Sequence, residues 1–417
     1  MRLLTLTEDQ ILSTFTALAL LLLFAYIFGT LLEKIKGPRV VGEILGGMIL
    51  GGSGLFLLVP DIMKKIFFSY AEEGQVLNIF YQLGLIFLMF LSGYNTEIKI
   101  EKKGIKTISL VFIGATVIPM LLAIPFIGIF KKSFVGTAGN DLSFSLVFCI
   151  GVAITSIPVI SKIFFDMGIM NTKFSNTILT VATFQDLCLW ILLNIATKVA
   201  ATGSINLVQM LTIVISTLGL FVVITAASKM VRKTGRIKDT KRFYTICFVM
   251  LLAVCGLLSR IGINIMYSAF IVGYVVKMFS GKEENAKKDM GVLENLVFSF
   301  FVPIYFALVG IQLNVIHDFS ILRFLLFFLI AFGLEFIGTF GMLVLSDLSK
   351  DMKMNFAITM NARGGPGIVL ATVSYTANII SLEFFTVLIL TTMLSSMIAG
   401  YYLRYQQKKN SDVFNEL

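Results

Sequence analysis

Charged residues are scarce in this sequence. Of its 417 residues, 14% are charged and 57% are hydrophobic. A soluble protein needs a surface covered with polar and charged groups, so the composition excludes that class and leaves a polytopic membrane protein. Long hydrophilic loops are also lacking, and little chain follows the last apolar run. We therefore expect no soluble regulatory domain.

Signatures of disulfides, metal centres and cofactors are absent as well. Cys149, Cys188, Cys247 and Cys255 are far apart, lie in apolar runs and show no CxxC spacing. That pattern is typical of small core residues. The single histidine, His317, falls in a predicted external loop. We expect no cofactor, and the membrane-embedded helices must supply the function.

Apolar runs long enough to cross a bilayer recur along the chain. A helix needs about 20 apolar residues to cross roughly 30 Å of hydrocarbon. This criterion predicts an all-α polytopic membrane protein with thirteen transmembrane helices. They lie near 11–32, 39–58, 76–94, 105–130, 143–165, 171–197, 205–228, 243–260, 263–280, 290–313, 321–346, 353–376 and 382–403.

Basic residues are distributed unevenly between the two sides of this predicted bundle. Of the 34 Lys and Arg residues, 25 lie in alternate loops and the C-terminal tail, 8 lie in the N-terminus and the other loops, and Arg363 lies inside a span. The positive-inside rule then places the C-terminus in the cytoplasm, for a protein of the cell (inner) membrane. The same distribution accounts for the net charge of +10 without a nucleic-acid partner.

Two spans are interrupted by proline and glycine at matching positions. Thr155-Ser156-Ile157-Pro158 interrupts the fifth span, and Arg363-Gly364-Gly365-Pro366-Gly367 interrupts the twelfth. An odd separation of seven spans gives the two segments opposite orientations. Pairs of this kind mark transporters built from inverted repeats, whose substrate site lies where the broken helices meet. A chance coincidence of residues that membrane helices tolerate is the alternative.

The third and tenth spans support the repeat. FLSGYNTEI, from Phe90, resembles ALVGIQLNV, from Ala307, and Gly93 matches Gly310. In the breaks, proline removes a backbone donor and frees a carbonyl. Freed carbonyls together with the Thr155 and Ser156 hydroxyls would make an oxygen-rich cradle for a monovalent cation.

The main ionisable residues within the predicted spans are Glu43, Asp186, Glu335 and Arg363. Each costs at least about 2.5 kcal/mol in hydrocarbon, so each is a functional candidate. Arg363 is interpreted as a group that neutralises a carboxylate or holds the broken helix ends together. Glu43 is interpreted as a packing or gating group at the cytoplasmic end of the second span.

Asp186, preceded by Gln185, lies in the sixth span beside the first break. Dehydration disfavours a charged carboxylate, so this side chain can hold a proton or a small cation in competition. One such group predicts one proton exchanged for one monovalent ion, with no net charge moved. Gln185 can coordinate or donate a hydrogen bond but cannot titrate. The alternative is a structural carboxylate neutralised by a partner such as Arg363.

Seven segments in order resemble the monovalent cation/proton antiporters of the second cation/proton antiporter family. They cover about 38–375 and read PRVVGEILGGMILG, LGLIFLMFLSGYNTEI, TSIP, TFQDL, SAFIVGYVV, FFVPIYFALVGIQLN and ARGGPGIVLA. The resemblance implies thirteen helices with two crossed discontinuous helices. It also implies a core domain (around 76–197 and 290–403) and a scaffold domain (around 11–58 and 205–280) that usually forms a homodimer. The family's ion site maps onto Gln185 and Asp186, as in the potassium-efflux branch.

Three departures from the family pattern are visible. Glu335 stands where the electrogenic members offer a lysine, which opposes electrogenic exchange and adds either a second titratable group or a partner for Arg363. Gly365 and Pro366 follow Gly364 where an acidic residue is usual. The nucleotide-binding domain of larger potassium-efflux relatives is not expected here.

The sequence therefore predicts a secondary transporter, not an enzyme: an electroneutral Na+/H+ or K+/H+ antiporter in which Asp186 binds the proton or the metal ion. The alternative is an antiporter-like scaffold adapted as a membrane-embedded enzyme or organic-ligand binder, with Asp186 and Glu335 as acid and base. An ungated permease or channel is a third possibility.

Overall fold

The computed structural model describes residues 5–67, 69–95, 104–170, 172–204, 240–260, 265–280, 284–313, 315–316 and 319–410, together with positions 211, 214, 215 and 414. Nearly all of the predicted span 205–228, most of the basic loop 229–242, and His317 lie outside the described residues.

Regular structure in the described residues is helical, apart from one isolated bridge between Val135 and Ile380. In chain order the helices are α1 (Glu8–Lys34), α2 (Arg39–Leu50), α3 (Leu55–Leu58), α4 (Pro60–Phe67), α5 (Ala71–Asn95), α6 (Ile105–Phe112), α7 (Ile118–Ala123), α8 (Ile127–Phe134), α9 (Asp141–Val152), α10 (Ile157–Asp166), α11 (Lys173–Thr202), α12 (Thr240–Arg260), α13 (Ile265–Ser280), α14 (Glu284–Leu296), α15 (Val302–Gln312), α16 (Ile321–Leu343), α17 (Lys350–Met360), α18 (Gly364–Thr376) and α19 (Leu382–Lys409). π-helical turns at Ile113–Val117 and Val297–Phe301 join α6 to α7 and α14 to α15.

Ten helical segments in the described part of the chain are long and apolar enough to cross a membrane. Each overlaps one of the predicted spans. The predicted span 263–280 holds a shorter apolar helix, Ile265–Met278. The predicted span 353–376 is divided between α17 and α18. The all-helical membrane class is thus confirmed, whereas the number thirteen stays a prediction.

The chain divides into two compact units. The first contains Met1–Tyr94, Met230–Ser259 and Ile265–Asp318. The second contains Asn95–Lys229, Arg260–Asn264 and Phe319–Leu417. This division differs from the predicted grouping, in which the spans near 76–94 and 290–313 belonged to the core domain. Both of those spans belong to the first unit.

Glycines explain why these two spans join the first unit. A Cβ atom at Gly47 of α2 would overlap the backbone of Ala307 in α15, and one at Gly310 would overlap the backbone of α2 in return. Gly93 of α5 and Gly273 of α13 form a second reciprocal pair of the same kind. Backbones this close are a feature of membrane helices that meet through small residues. Gly93 and Gly310, which were matched by sequence, therefore each allow two helices to approach closely, in two different helix pairs.

The second unit has aromatic packing on both sides of its helix breaks. One cluster joins α8, α9, α16 and α19 and contains Phe134, Phe148, Phe327 and Phe384. The other joins α10, α11 and α17 with the C-terminal segment and contains Phe164, Phe174, Phe356 and Phe414. Aromatic side chains bury large apolar areas, so these clusters anchor the helix halves on either side of the polar segments between them.

Candidate functional site

The first break separates α9, which ends at Val152, from α10, which begins at Ile157. In a continuous helix the Ile154 carbonyl would accept from the nitrogen of residue 158, but that residue is Pro158, which has no N–H. The side chain of Ser156 caps α10 by accepting from the backbone N–H of Val159 at 3.4 Å. The break therefore follows from the proline and the serine that precedes it.

The second break separates α17, which ends at Met360, from α18, which begins at Gly364. Pro366 removes the helical donor of the Ala362 carbonyl in the same way. Here the missing donor is replaced by the backbone N–H of Ser156, which lies 2.7 Å from the Ala362 oxygen. This hydrogen bond brings the two breaks into direct contact.

Gly364 is required where the breaks meet. Its φ of +40° lies in the left-handed region that favours glycine. A Cβ atom there would also overlap the side chains of Ser156 and Val159. Its backbone N–H donates to the Ser396 hydroxyl at 3.1 Å, which ties the start of α18 to α19.

Gln185 is bound to the first break. Its side-chain nitrogen donates to the Ala153 carbonyl in the break, and to the Ala115 carbonyl, 3.0 Å away, in the π-helical turn after α6. Its amide oxygen is buried and has no hydrogen-bond partner among the described residues. The amide thus fixes two carbonyls with its nitrogen and leaves its oxygen available to a ligand.

Asp186 is 2% exposed, and neither carboxylate oxygen has a hydrogen-bond partner in the described part of the chain. The described residues include no ion pair to it within 4.0 Å. Arg363, which the sequence offered as its neutralising partner, instead binds another carboxylate. Burying an unpaired charged carboxylate is costly, so we expect a bound proton or cation to neutralise Asp186.

That other carboxylate is Glu335 of α16, which is 0% exposed. The Arg363 Nη2 atom lies 2.9 Å from Glu335 Oε2, and it also donates to the carbonyls of Val152 at 2.9 Å and Ala331 at 3.0 Å. Arg363 is 1% exposed. One guanidinium group therefore connects the last residue of α9, the second break and α16, which is the role of holding the broken ends that the sequence suggested.

Thr155 links Glu335 to both breaks. Its hydroxyl oxygen lies 2.6 Å from the Met360 carbonyl and 3.2 Å from Glu335 Oε1. Thr155 and Ser156, predicted for the ion site, and Glu335 and Arg363, predicted as supporting charges, therefore lie in one polar layer of the second unit. Gln185 is joined to that layer through Ala153.

The sodium/hydrogen exchanger family model, which describes the transmembrane part of these proteins, matches residues 19–405. The chain belongs to this exchanger family. The resemblance drawn from seven short segments is thereby confirmed.

Individual relatives and solved structures agree with the family. The chain is 25% identical to Cation/H(+) antiporter 17 of Arabidopsis thaliana, over 91% of this chain and 47% of that protein. It is 24% identical to a Na(+)/H(+) antiporter of Enterococcus hirae, over 95% of this chain and 98% of that protein. It thus spans about half the length of the plant relative and nearly all of the bacterial one.

The fold has a solved counterpart. The structure of the sodium proton antiporter MjNhaP1 from Methanocaldococcus jannaschii matches with a TM-score of 0.59 at 16% identity, over 96% of this chain and 97% of that one. The names of these proteins describe transporters and not enzymes, so they give no support to the enzyme alternative.

Glu43 is the one predicted charged residue of this chain that lies in the first unit. It is buried in α2, and its Oε1 accepts from Arg39 Nε at 2.9 Å. Arg39 also lies 3.8 Å from Glu33 at the end of α1. Arg39 thus links Glu43 to the end of α1, and the packing or gating role of Glu43 stays a prediction.

Sequence reasoning missed several buried polar residues of the exchanger. In the second unit, Asn355 is fully buried with neither side-chain amide atom paired to a described residue, and the Asn361 amide oxygen and the Thr116 hydroxyl are in the same state. Glu73, in the first turn of α5, is buried and accepts from the Ser13 hydroxyl at 2.9 Å. Asn355 and Asn361 could have been noticed as amides in the helix that leads to the second break.

Proposed function

We propose that this chain is a secondary transporter that exchanges Na+ or K+ for H+, one for one, and that Asp186 binds the proton and the metal ion in turn. The observation that carries the proposal is the state of Asp186, which is buried with both oxygens unpaired among the described residues and follows Gln185, whose amide binds the first break. An ionisable group in that position is expensive unless cargo neutralises it.

The oxygen atoms near Asp186 suit a hard monovalent cation. Carbonyl, hydroxyl and carboxylate oxygens are the usual ligands of such ions. We infer that the Ile154 carbonyl, deprived of its helical donor by Pro158, and the amide oxygen of Gln185 add to the Asp186 carboxylate. The hydroxyls of Thr155 and Ser156 border the same segment. Na+ and K+ accept the same ligands, so the proposal covers both.

The charges in the second unit support electroneutral exchange. Glu335 and Arg363 neutralise one another. This leaves Asp186 as the single uncompensated carboxylate among the predicted site residues, and one proton or one monovalent cation balances it. The net charge of the site is therefore the same whether it holds the proton or the metal ion.

Larger features of the transporter follow from the family pattern. We propose thirteen transmembrane helices, a crossed arrangement of the two interrupted helices, a cytoplasmic C-terminus in a cell membrane, and a homodimer. Because the polar layer lies in the second unit, we assign the moving core to that unit and the scaffold to the first. This replaces the sequence-based grouping of the spans near 76–94 and 290–313.

Proteoliposomes test the exchange. With an imposed pH gradient, the wild-type protein should move Na+ or K+ against protons, and Asp186→Asn should abolish that movement. Asp347→Asn makes the same substitution at an exposed residue of the second unit and should exchange normally. Full exchange by a folded Asp186→Asn variant would remove Asp186 from the mechanism.

A further inference from the structure

The ion pair between Glu335 and Arg363 leaves part of the arginine unused. Its Nη2 atom contacts Val152, Ala331 and Glu335, while Nε and Nη1 are buried and have no hydrogen-bond partner among the described residues. The guanidinium group is planar and permanently charged, so it keeps donors ready for a second acceptor.

Glu335 determines whether that positive charge is available. Because both side chains are almost completely buried, water screens neither of them, and the carboxylate is the one described counter-charge within 4.0 Å of Arg363. Removing one member of a buried ion pair leaves the other uncompensated. Without Glu335, the arginine would carry a free positive charge in the unit that also contains Asp186.

The net charge of the site differs between the empty carrier and the carrier that holds cargo. With the pair intact, the three groups together carry one negative charge when Asp186 is empty and none when it holds H+ or a metal ion. A charged site resists transfer through a low-dielectric environment. The loaded forms can therefore change access, and the empty form cannot.

We propose that Glu335 is a coupling residue: it neutralises Arg363 so that the charge of Asp186 can be balanced only by cargo, which prevents the empty transporter from changing access. This inference rests on the exchange proposed above. It assigns Glu335 a role in charge balance and not in binding the ion.

Each variant changes the net charge of the empty and loaded sites in a different way. In Glu335→Gln the empty site is neutral and each loaded site carries one positive charge. The empty carrier can then change access, but both loaded carriers are charged and cannot, so exchange is lost. Arg363→Gln makes the empty site doubly negative and each loaded site singly negative. In the double variant Glu335→Gln/Arg363→Gln the empty site again carries one negative charge and each loaded site is again neutral, as in the wild type.

The test is a Na+ or K+ concentration jump on proteoliposomes adsorbed to a solid-supported membrane, with internal pH followed in parallel. The wild type should move protons without a sustained current. Glu335→Gln should lose most of its cation-dependent proton movement without gaining a sustained current, whereas the double variant should exchange again and remain electrically silent. Glu335→Asp keeps the charge and should also remain silent.

The outcomes separate the two proposals. Absence of cation-dependent proton movement in the wild type would remove the proposed function itself. Wild-type exchange accompanied by silent, fully coupled exchange in Glu335→Gln would overturn only the role of Glu335. If Glu335→Gln does not fold, the double variant decides: silent exchange supports charge balance, and a folded double variant that does not exchange contradicts it.

Discussion

The side-chain nitrogen of Gln185 donates to the carbonyl of Ala153, a residue that lies where the first helix is interrupted. The same nitrogen donates to Ala115 in a π-helical turn. A π-helical turn and a broken helix both displace carbonyls from their regular donors. Gln185 supplies a donor to one carbonyl of each kind, and its neighbour Asp186 is thereby held beside the break.

Gln185→Glu should destabilise the protein. A carboxylate at this position would face two carbonyl oxygens that can only accept, and each buried acceptor left without a donor costs about 1–3 kcal/mol. We expect a lower thermal melting temperature in detergent and weaker cation exchange. Gln312→Glu is the matched control, because Gln312 is exposed and donates only to Leu308 within its own helix. Equal melting temperatures for the two variants would contradict the bridging role of Gln185.

Gly364→Ala should impair transport more than an ordinary glycine replacement. The positive φ of Gly364 costs an alanine roughly 1 kcal/mol, and overlap with Ser156 and Val159 would push the two breaks apart. The change should lower the exchange rate and the melting temperature together. Gly341→Ala, in α16, adds a methyl group where no atom lies within 4 Å and should behave as wild type. A fully active Gly364→Ala variant would show that the breaks tolerate displacement.

The close contact between Gly93 of α5 and the backbone of α13 predicts a separate effect on stability. Gly93→Ala would place a methyl group against the backbone of Phe270, and overpacking of this kind costs about 1–3 kcal/mol. Gly74→Ala, in the same helix, meets no atom within 4 Å and should leave the melting temperature unchanged or slightly higher. If both variants melt alike, close approach through Gly93 is not what holds α5 against α13.

The sequence was informative where chemistry is locally unusual. Pro158 and Pro366 cannot continue a helix, and Asp186 and Arg363 are expensive in hydrocarbon, so each stood out without any knowledge of its neighbours. Partners are a different matter. The residues Glu335 and Arg363 are 28 positions apart in the chain. The family pattern offered Glu335 either as a second titratable group or as a partner for Arg363, and the local sequence did not decide between the two.

Two further features depended on three-dimensional packing. The amide of Asn355 could have been noticed but its burial could not be predicted, because Asn355 falls near the start of the predicted span 353–376, where an exposed position is equally compatible with the sequence. The assignment of the third and tenth spans to the core domain was based on the order of the repeat. Backbone contacts at Gly47, Gly310, Gly93 and Gly273 join segments far apart in sequence, and the order of the repeat gave no sign of them.

Competition at Asp186 makes the last prediction, which concerns pH. A metal ion needs the carboxylate deprotonated, so protons and cations exclude one another and acidification must weaken cation binding. In the range where the proton occupies most sites, the apparent KM for Na+ or K+ should rise about tenfold for each unit by which pH falls. The maximal exchange rate at saturating cation should change much less, because excess cation displaces the proton.

Initial rates in proteoliposomes, measured over a series of cation concentrations with equal pH on both sides, would give both quantities. An apparent KM that is independent of pH while the maximal rate falls would indicate that the proton binds elsewhere, and Asp186 would then not be shared between the two cargoes.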